Sequence, residues 1–358
     1  MQRATMAVAA GRPEPTPDAP LNVPVEFASA LVAGGEIGYT RHDARNARAF
    51  EQVLGALEGG HAVLFASGMA AVTAVLDVLA PTSVARPPVF YSGTRAVLDA
   101  RSHIRQVVCE PDTWTAADVD LRWIETPTNP DLRVIDIAAA SAGDAPTVVD
   151  STFATPIGQR PLALGADVVI HSVSKYLSGH SDLILGAAVC RDPSLAARLR
   201  DHRELTGAIS GPMEAWLALR GMRTLDVRFR RAADNARVLA ERLCGHTGVE
   251  TVIWPGLHDH PDHAVATRQM DVIGPMLSVI PTGGASAAQA VSESTRLWMH
   301  ATSLGGVEST LERRRRHAFE SPLVDPGLLR LSVGIEDVDD LWSDLQKALA
   351  AAAHRRKR

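Results

Sequence analysis

Cysteine is scarce in this chain of 358 residues: there are three, Cys109, Cys190 and Cys244. An odd count with no CxxC spacing excludes a disulfide framework and offers no zinc-ligand pattern, so no metal is expected; the pattern fits a reducing compartment. No apolar run approaches the roughly 18 residues of a membrane-spanning helix, and no basic-then-apolar leader opens the chain. The expectation is a soluble, cytoplasmic protein. Neither charge sign dominates: the net charge is −5 and the pI about 6.2, which gives no reason to expect a nucleic-acid or membrane partner. No Gly-x-Gly-x-x-Gly follows a strand-like run, which excludes a nicotinamide dehydrogenase of the usual kind. There is no internal repeat and no coiled-coil stretch.

Apolar content is ample at 46%, and the length exceeds what one domain usually holds. The reading is an N-terminal arm over residues 1–45, a large domain over 46–244, a smaller one over 245–353, and a basic tail over 354–358. Residues 1 to about 38 are rich in Pro, Ala and Gly, show no sustained helical period and read as an extended arm. From Asn46 to Leu57 the apolar residues recur at helical spacing until Gly59-Gly60 stops them. Ala62–Phe65 then reads as a strand, Ser67-Gly68-Met69 as a turn and Ala70–Leu79 as a helix. This order points backbone N–H groups at a phosphate, although Ser67-Gly68 alone would be an ordinary turn.

Further strands are expected at Val89–Tyr91, Leu121–Ile124, Thr147–Val149 and Asp167–Ile170, with Ile184–Cys190 returning along the sheet. Helices are expected at Leu195–Glu204, Met213–Leu225 and Val227–Leu243. The remainder mixes strands at Pro275–Ile280 and Leu329–Val333 with helices at Ala287–Thr295 and Asp337–Ala352. Ligands of open α/β sheets sit beyond the carboxyl ends of the strands. Asp150, at the end of one run, and Ser172, Ser174 and Lys175, at the end of another, should therefore meet at one sheet edge.

Four stretches carry a resemblance. They are Tyr91-Ser92-Gly93-Thr94, Glu125-Thr126-Pro127-Thr128-Asn129-Pro130, Asp150-Ser151-Thr152-Phe153-Ala154-Thr155-Pro156 and Ser172-Val173-Ser174-Lys175-Tyr176. With Ser303-Leu304-Gly305-Gly306 and Arg330-Leu331-Ser332-Val333-Gly334 added, the chain resembles the cysteine/methionine metabolism family of pyridoxal-phosphate (PLP) enzymes from about Tyr39 to Leu349. That family holds the cystathionine γ-synthases, the cystathionine γ- and β-lyases and the methionine γ-lyases. The resemblance implies the PLP-dependent transferase fold of type I, an α/β fold with a mainly parallel seven-stranded sheet and a smaller C-terminal domain. It also implies a homotetramer of two dimers with active sites at the dimer interface.

Residue by residue, the resemblance makes Lys175 the covalent anchor of the cofactor and the base that moves protons. It makes Asp150 the partner that keeps the pyridine nitrogen protonated, so that the ring accepts electrons from Cα. Tyr91 would stack on the ring and take part in catalysis, and Asn129 would bond the phenolic oxygen. Ser67, Gly68, Met69, Ser172 and Ser174 would hold the phosphate, Ser174 standing where the family usually has threonine. Tyr39 and Arg41 would reach the phosphate of the neighbouring subunit. Arg330 would clamp the substrate α-carboxylate, with Ser303 and Thr302 beside it.

The chain departs from the family pattern in several places. Ala44-Arg45-Asn46 replaces the usual Asn-Pro-Thr, and the segment between Tyr91 and Glu125 is short. Thr302 stands where cystathionine-handling members commonly have glutamate. Glu312-Arg313-Arg314-Arg315-Arg316-His317 replaces a His-Pro and Met-Thr-His stretch; a run of four arginines reads as a solvated loop, the alternative being that near the active-site entrance it attracts an anionic substrate. The expected activity is cystathionine γ-lyase-like elimination at the γ or β carbon. The alternatives are γ-replacement on an O-acyl homoserine, as in a cystathionine γ-synthase, or methionine γ-lyase activity. Loss of Lys175 or Asp150 would instead point to a non-catalytic binding relative; both are present.

Overall fold

The computed structural model describes residues 1–110 and 113–355. A seven-stranded sheet contains β1 (His61–Phe65), β2 (Ser83–Arg86), β3 (Arg105–Val108), β4 (Leu121–Glu125), β5 (Thr147–Asp150), β6 (Val168–Ser172) and β7 (Gly186–Cys190), in the order β1-β7-β6-β5-β4-β2-β3. Its pairs are parallel from β3 to β6, whereas β7 runs antiparallel to both β6 and β1. Strands β4 to β7 are covered on both faces, which is why they read as unbroken apolar runs rather than as alternating ones.

The first four helices are α1 (Arg3–Ala9), α2 (Arg45–Glu58), α3 (Gly68–Leu79) and α4 (Ser92–Asp99), of which α3 and α4 reach the site. The apolar stripe of α2 is fully buried at Phe50, Val53 and Leu54, and Gly59 ends the helix in the left-handed conformation that glycine tolerates. A second sheet holds β8 (Val249–Ile253), β9 (Met276–Pro281), β10 (Met299–His300), β11 (Thr310–Arg313) and β12 (Leu329–Ser332), in the order β10-β11-β12-β9-β8. The Ser278 hydroxyl on β9 donates to the Pro130 carbonyl at 2.8 Å and ties this sheet to the loop beyond β4.

The structure corrects several expectations. The arm is not extended throughout, because Arg3–Ala9 forms a helix whose Ala7 is buried among the residues of α2. The strand expected at Val89–Tyr91 lies earlier, at Ser83–Arg86: Pro87 and Pro88 lack N–H donors and end the ladder. Ser92-Gly93-Thr94, read as a strand end, is the first turn of α4, and Gly68 and Met69 already belong to α3. The arginine run is not a solvated loop, for Arg313 closes β11 and Arg314 is only 3% exposed. The final helix runs from Val338 to Arg355, so His354 and Arg355 of the tail are helical; residues 356–358 lie outside the described part.

Candidate active site

Parallel neighbours place Glu125 opposite Asp150 and Asp150 opposite Ile170. Three adjacent strands therefore present Glu125, Asp150 and Ser172 at their carboxyl ends, where a cavity of about 530 Å³ opens. Ser67, Gly68, Met69, Tyr91, Asn129, Asp150, Ser172, Ser174, Lys175, Thr302, Ser303 and Arg330 all line it. Tyr39 and Arg41 do not. Arg41 donates to the Glu204 carbonyl at 3.2 Å and lies over the Tyr39 ring, 5.5 Å from its centre, with Tyr39 42% exposed.

One end of the cavity is the start of α3. Ser67 caps it by accepting from the Ala70 N–H at 3.0 Å, leaving the N–H groups of Gly68 and Met69 without helical acceptors. A Cβ on Gly68 would stand 3.4 Å from the Ser172 hydroxyl, and one on Gly186 would stand 2.5 Å from the Gly68 Cα. Glycine at both positions keeps β7, α3 and the Ser172 hydroxyl close together. The Ser174 hydroxyl is already engaged with Leu185, donating to its carbonyl at 3.1 Å and accepting from its N–H at 2.9 Å.

Beside this cradle, Asp150 Oδ1 accepts from the Thr152 N–H at 3.0 Å. The Thr152 side chain is a further hydrogen-bonding partner of this carboxyl. Burial pushes the Asp150 carboxyl above its usual range, against the opposing pull of Thr152 and His171. Glu125 accepts from the Tyr91 N–H at 2.9 Å and the Asn129 N–H at 2.6 Å. Burial first, and then the nearby Asp150 charge, push its pKa well above the usual carboxyl range, against the opposing pull of these two N–H donors. Sequence reasoning did not select Glu125 as a site residue, although its place at the end of a buried strand was a usable signal.

Lys175 Nζ donates to Ser303 Oγ at 3.0 Å. Burial, and then the charges of Arg330 and Arg314, lower its pKa to about 8. Gly305 holds the facing loop with φ of +80°, and a Cβ there would meet the Tyr176 N at 2.7 Å. Arg330, 3% exposed on the middle strand of the second sheet, donates to Asn129 Oδ1 at 3.0 Å and to the Thr302 carbonyl at 2.7 Å. Burial lowers its pKa to about 10, which leaves it cationic at pH 7.

Antiparallel pairing sets Glu312 of β11 against Arg330 of β12. The Glu312 side chain has no exposure and contacts Arg314, Arg316, His317 and Arg330. Despite its burial these partners lower its pKa to about 2. Arg314 and Phe319 also line the cavity. Sequence reasoning named none of Glu312, Arg314 and Phe319 as a site residue: it weighed the arginine run as a solvated loop or an attractor of an anionic substrate, and gave Glu312 and Phe319 no role.

The cavity suits pyridoxal phosphate. Asp150 is buried, forms no ion pair among the described residues and has its pKa raised by burial, so a pyridinium N–H would be a fitting partner for it. The open helix N-terminus suits a phosphate, and Lys175 lies at the opposite end of the same β6 turn region with its amine made available by burial.

Comparison with known proteins agrees. Residues 4–350 match the family described as Cys/Met metabolism PLP-dependent enzyme. A cystathionine γ-synthase of Mycobacterium tuberculosis is 41% identical over 97% of this chain and 96% of its own length. An L-methionine γ-lyase of Pseudomonas deceptionensis is 39% identical over 92% of this chain and 90% of its own. The crystal structure of cystathionine γ-synthase from Xanthomonas oryzae pv. oryzae in complex with cystathionine superposes with a TM-score of 0.94 at 36% identity, covering 99% of each chain. A type I PLP fold, an open helix N-terminus facing a buried aspartate and lysine, and this match over nearly the whole length place the chain in the Cys/Met metabolism family of PLP-dependent enzymes.

Proposed function

We propose that this enzyme eliminates the γ-substituent of a homocysteine- or homoserine-type amino acid, in the manner of a cystathionine γ-lyase. With water, cystathionine would give cysteine, ammonia and 2-oxobutanoate. The observation that carries the reading is the placing of Lys175, whose amine pKa is about 8, in one cavity with Asp150 and Arg330.

When bound, the cofactor supplies the electron sink for the breaking Cα–H bond. The chain's own part is positional and acid–base. Arg330 holds the α-carboxylate in a fork and fixes which bond at Cα faces Lys175. Lys175, as the free amine, accepts the Cα proton and can return one at Cγ. Asp150 holds the ring nitrogen protonated, Tyr91 covers the ring, and Asn129 bonds its phenolic oxygen. Gly68, Met69 and Ser172 hold the phosphate, with Ser67 and Ser174 fixing the local backbone. In this reading Tyr39 and Arg41 serve the neighbouring subunit of a homotetramer in the cytoplasm, and residues 1–45, 46–244 and 245–353 act as arm, large domain and small domain. The exposure of Tyr39 and Arg41 away from their own cavity supports that role.

A second reading, γ-replacement on an O-acyl homoserine, is favoured by the 41% identity to a cystathionine γ-synthase. Cystathionine, homocysteine, methionine and O-acyl homoserines offered singly to the loaded enzyme decide between the two. Release of 2-oxobutanoate from any of them, without added thiol, is expected. Its absence from all, with cystathionine formed once cysteine accompanies an O-acyl homoserine, would transfer the assignment to replacement.

A further inference from the structure

The second-sheet end of the cavity carries a charge pattern that the chemistry at Cα does not use. Arg330 and Lys175 are assigned to the α-carboxylate and Cα, so a γ-substituent extends toward the remaining wall, which includes Arg314, Phe319 and Thr302. Among the described residues no carboxylate lines that wall. Glu312 and Glu320 lie behind Arg314, with side chains 0% and 2% exposed. The Thr302 hydroxyl is turned to Glu312 at 3.1 Å.

Arg314 is therefore a buried guanidinium standing between two hidden glutamates and the cavity. Three of its N–H donors are engaged, two with Glu320 Oε2 at 3.0 and 2.8 Å and one with Glu312 Oε2 at 2.5 Å. A guanidinium has five such donors, so two are left. Among the described residues of this cluster, Arg314, Arg316 and Arg330 are paired with Glu312 and Glu320, and one positive charge is in excess before His317 is counted. A distal ammonium would meet this cation with no carboxylate to receive it.

We infer that Arg314 is a specificity-determining residue whose free N–H donors receive a carboxylate at the far end of the γ-substituent. The site then selects amino acids with an acidic γ-substituent over isosteric neutral ones. This deepens the proposed function and rests on its assignment of Arg330 and Lys175.

The test compares two esters of homoserine that differ in one group, the O-succinyl ester and the O-butanoyl ester, in which a methyl replaces the distal carboxylate. Binding to the loaded enzyme is read from the cofactor's visible absorption, and turnover from 2-oxobutanoate. The wild type should prefer the succinyl ester by about tenfold or more, the worth of a charge-assisted hydrogen bond. The double variant Arg314→Met, Glu320→Gln removes the guanidinium without stranding Glu320, and should lower that ratio at least about threefold. A smaller change overturns the inference. Should the double variant not fold, Arg314→Lys, which loses the planar fork, carries the same threshold. Because binding is read separately, failure to release 2-oxobutanoate would overturn the proposed elimination and leave the ratio of affinities to judge Arg314.

Discussion

A buried glutamate stands near each end of the cavity, and the two have pKa values displaced in opposite directions. Glu125, at the carboxyl end of β4, has Asp150 as its near neighbour and its pKa is pushed up. Glu312, on β11, is ringed by Arg314, Arg316, His317 and Arg330 and is kept ionised. Burial acts on both in the same direction; the sign of the neighbouring charge decides the outcome. The cofactor end is thus an acidic corner awaiting a cation, and the substrate end a basic corner awaiting anions.

The largest expected effect breaks the cofactor end outright. Lys175→Ala should lower turnover by at least about 10³-fold, the scale of a lost base and covalent anchor, and abolish labelling by borohydride in the presence of cofactor. Lysine occurs only at 175, 347 and 357, so in the wild type peptide mapping should find the label on Lys175 alone; a label on either of the others would undo the assignment.

Next comes the basic corner. Glu312→Gln leaves three guanidinium groups without their shared carboxylate, and urea unfolding at neutral pH should show a loss of about 3–5 kcal/mol. The Glu312 pKa is lower in the fold, about 2, than the ordinary 4.5. Its stabilisation is therefore complete above pH 4.5 and lost as pH falls toward 2. The variant should lack that acid-limb loss of stability.

The amine between the two corners gives a smaller, graded effect. Lys175 is lowered from 10.5 to about 8, so its neutral form grows as pH rises through 8. The rate at which unloaded protein captures pyridoxal phosphate should climb with a midpoint near 8, and Arg314→Met should move the midpoint upward by removing a nearby cation. A midpoint above 10 in the wild type would contradict the burial and charge argument.

Glu125→Gln closes the series. Glu125 forms no ion pair among the described residues, so the exchange misplaces one acceptor for the Tyr91 or Asn129 N–H. A cost of about 1 kcal/mol in unfolding is expected; a loss equal to that of Glu312→Gln would mean that both glutamates are ionised and the contrast false.

Most of the first sheet and the cofactor end were legible in the sequence because each rests on local signals. Thr147–Asp150 and Val168–Ser172 are doubly covered strands and read as apolar runs, and the polar residues that follow them had to fall at one edge. The Val89–Tyr91 assignment failed because Val89 and Phe90 are buried as a strand would be, yet two prolines precede them and the ladder lies before those prolines. Residues 314–316 failed differently. A charge run suggests solvent, and nothing local reveals that Glu312 and Glu320 wait to pair with Arg314.

The sequence by itself determined the alternation of strands and helices, the glycine stops, and the residues delivered at the strand ends, since short-range periodicity and backbone freedom decide these. Only the tertiary structure decided which carboxyls are charged and which arginine faces the cavity. Those properties depend on desolvation and on partners brought from distant parts of the chain, as when β12 carries Arg330 to Asn129, 201 residues away.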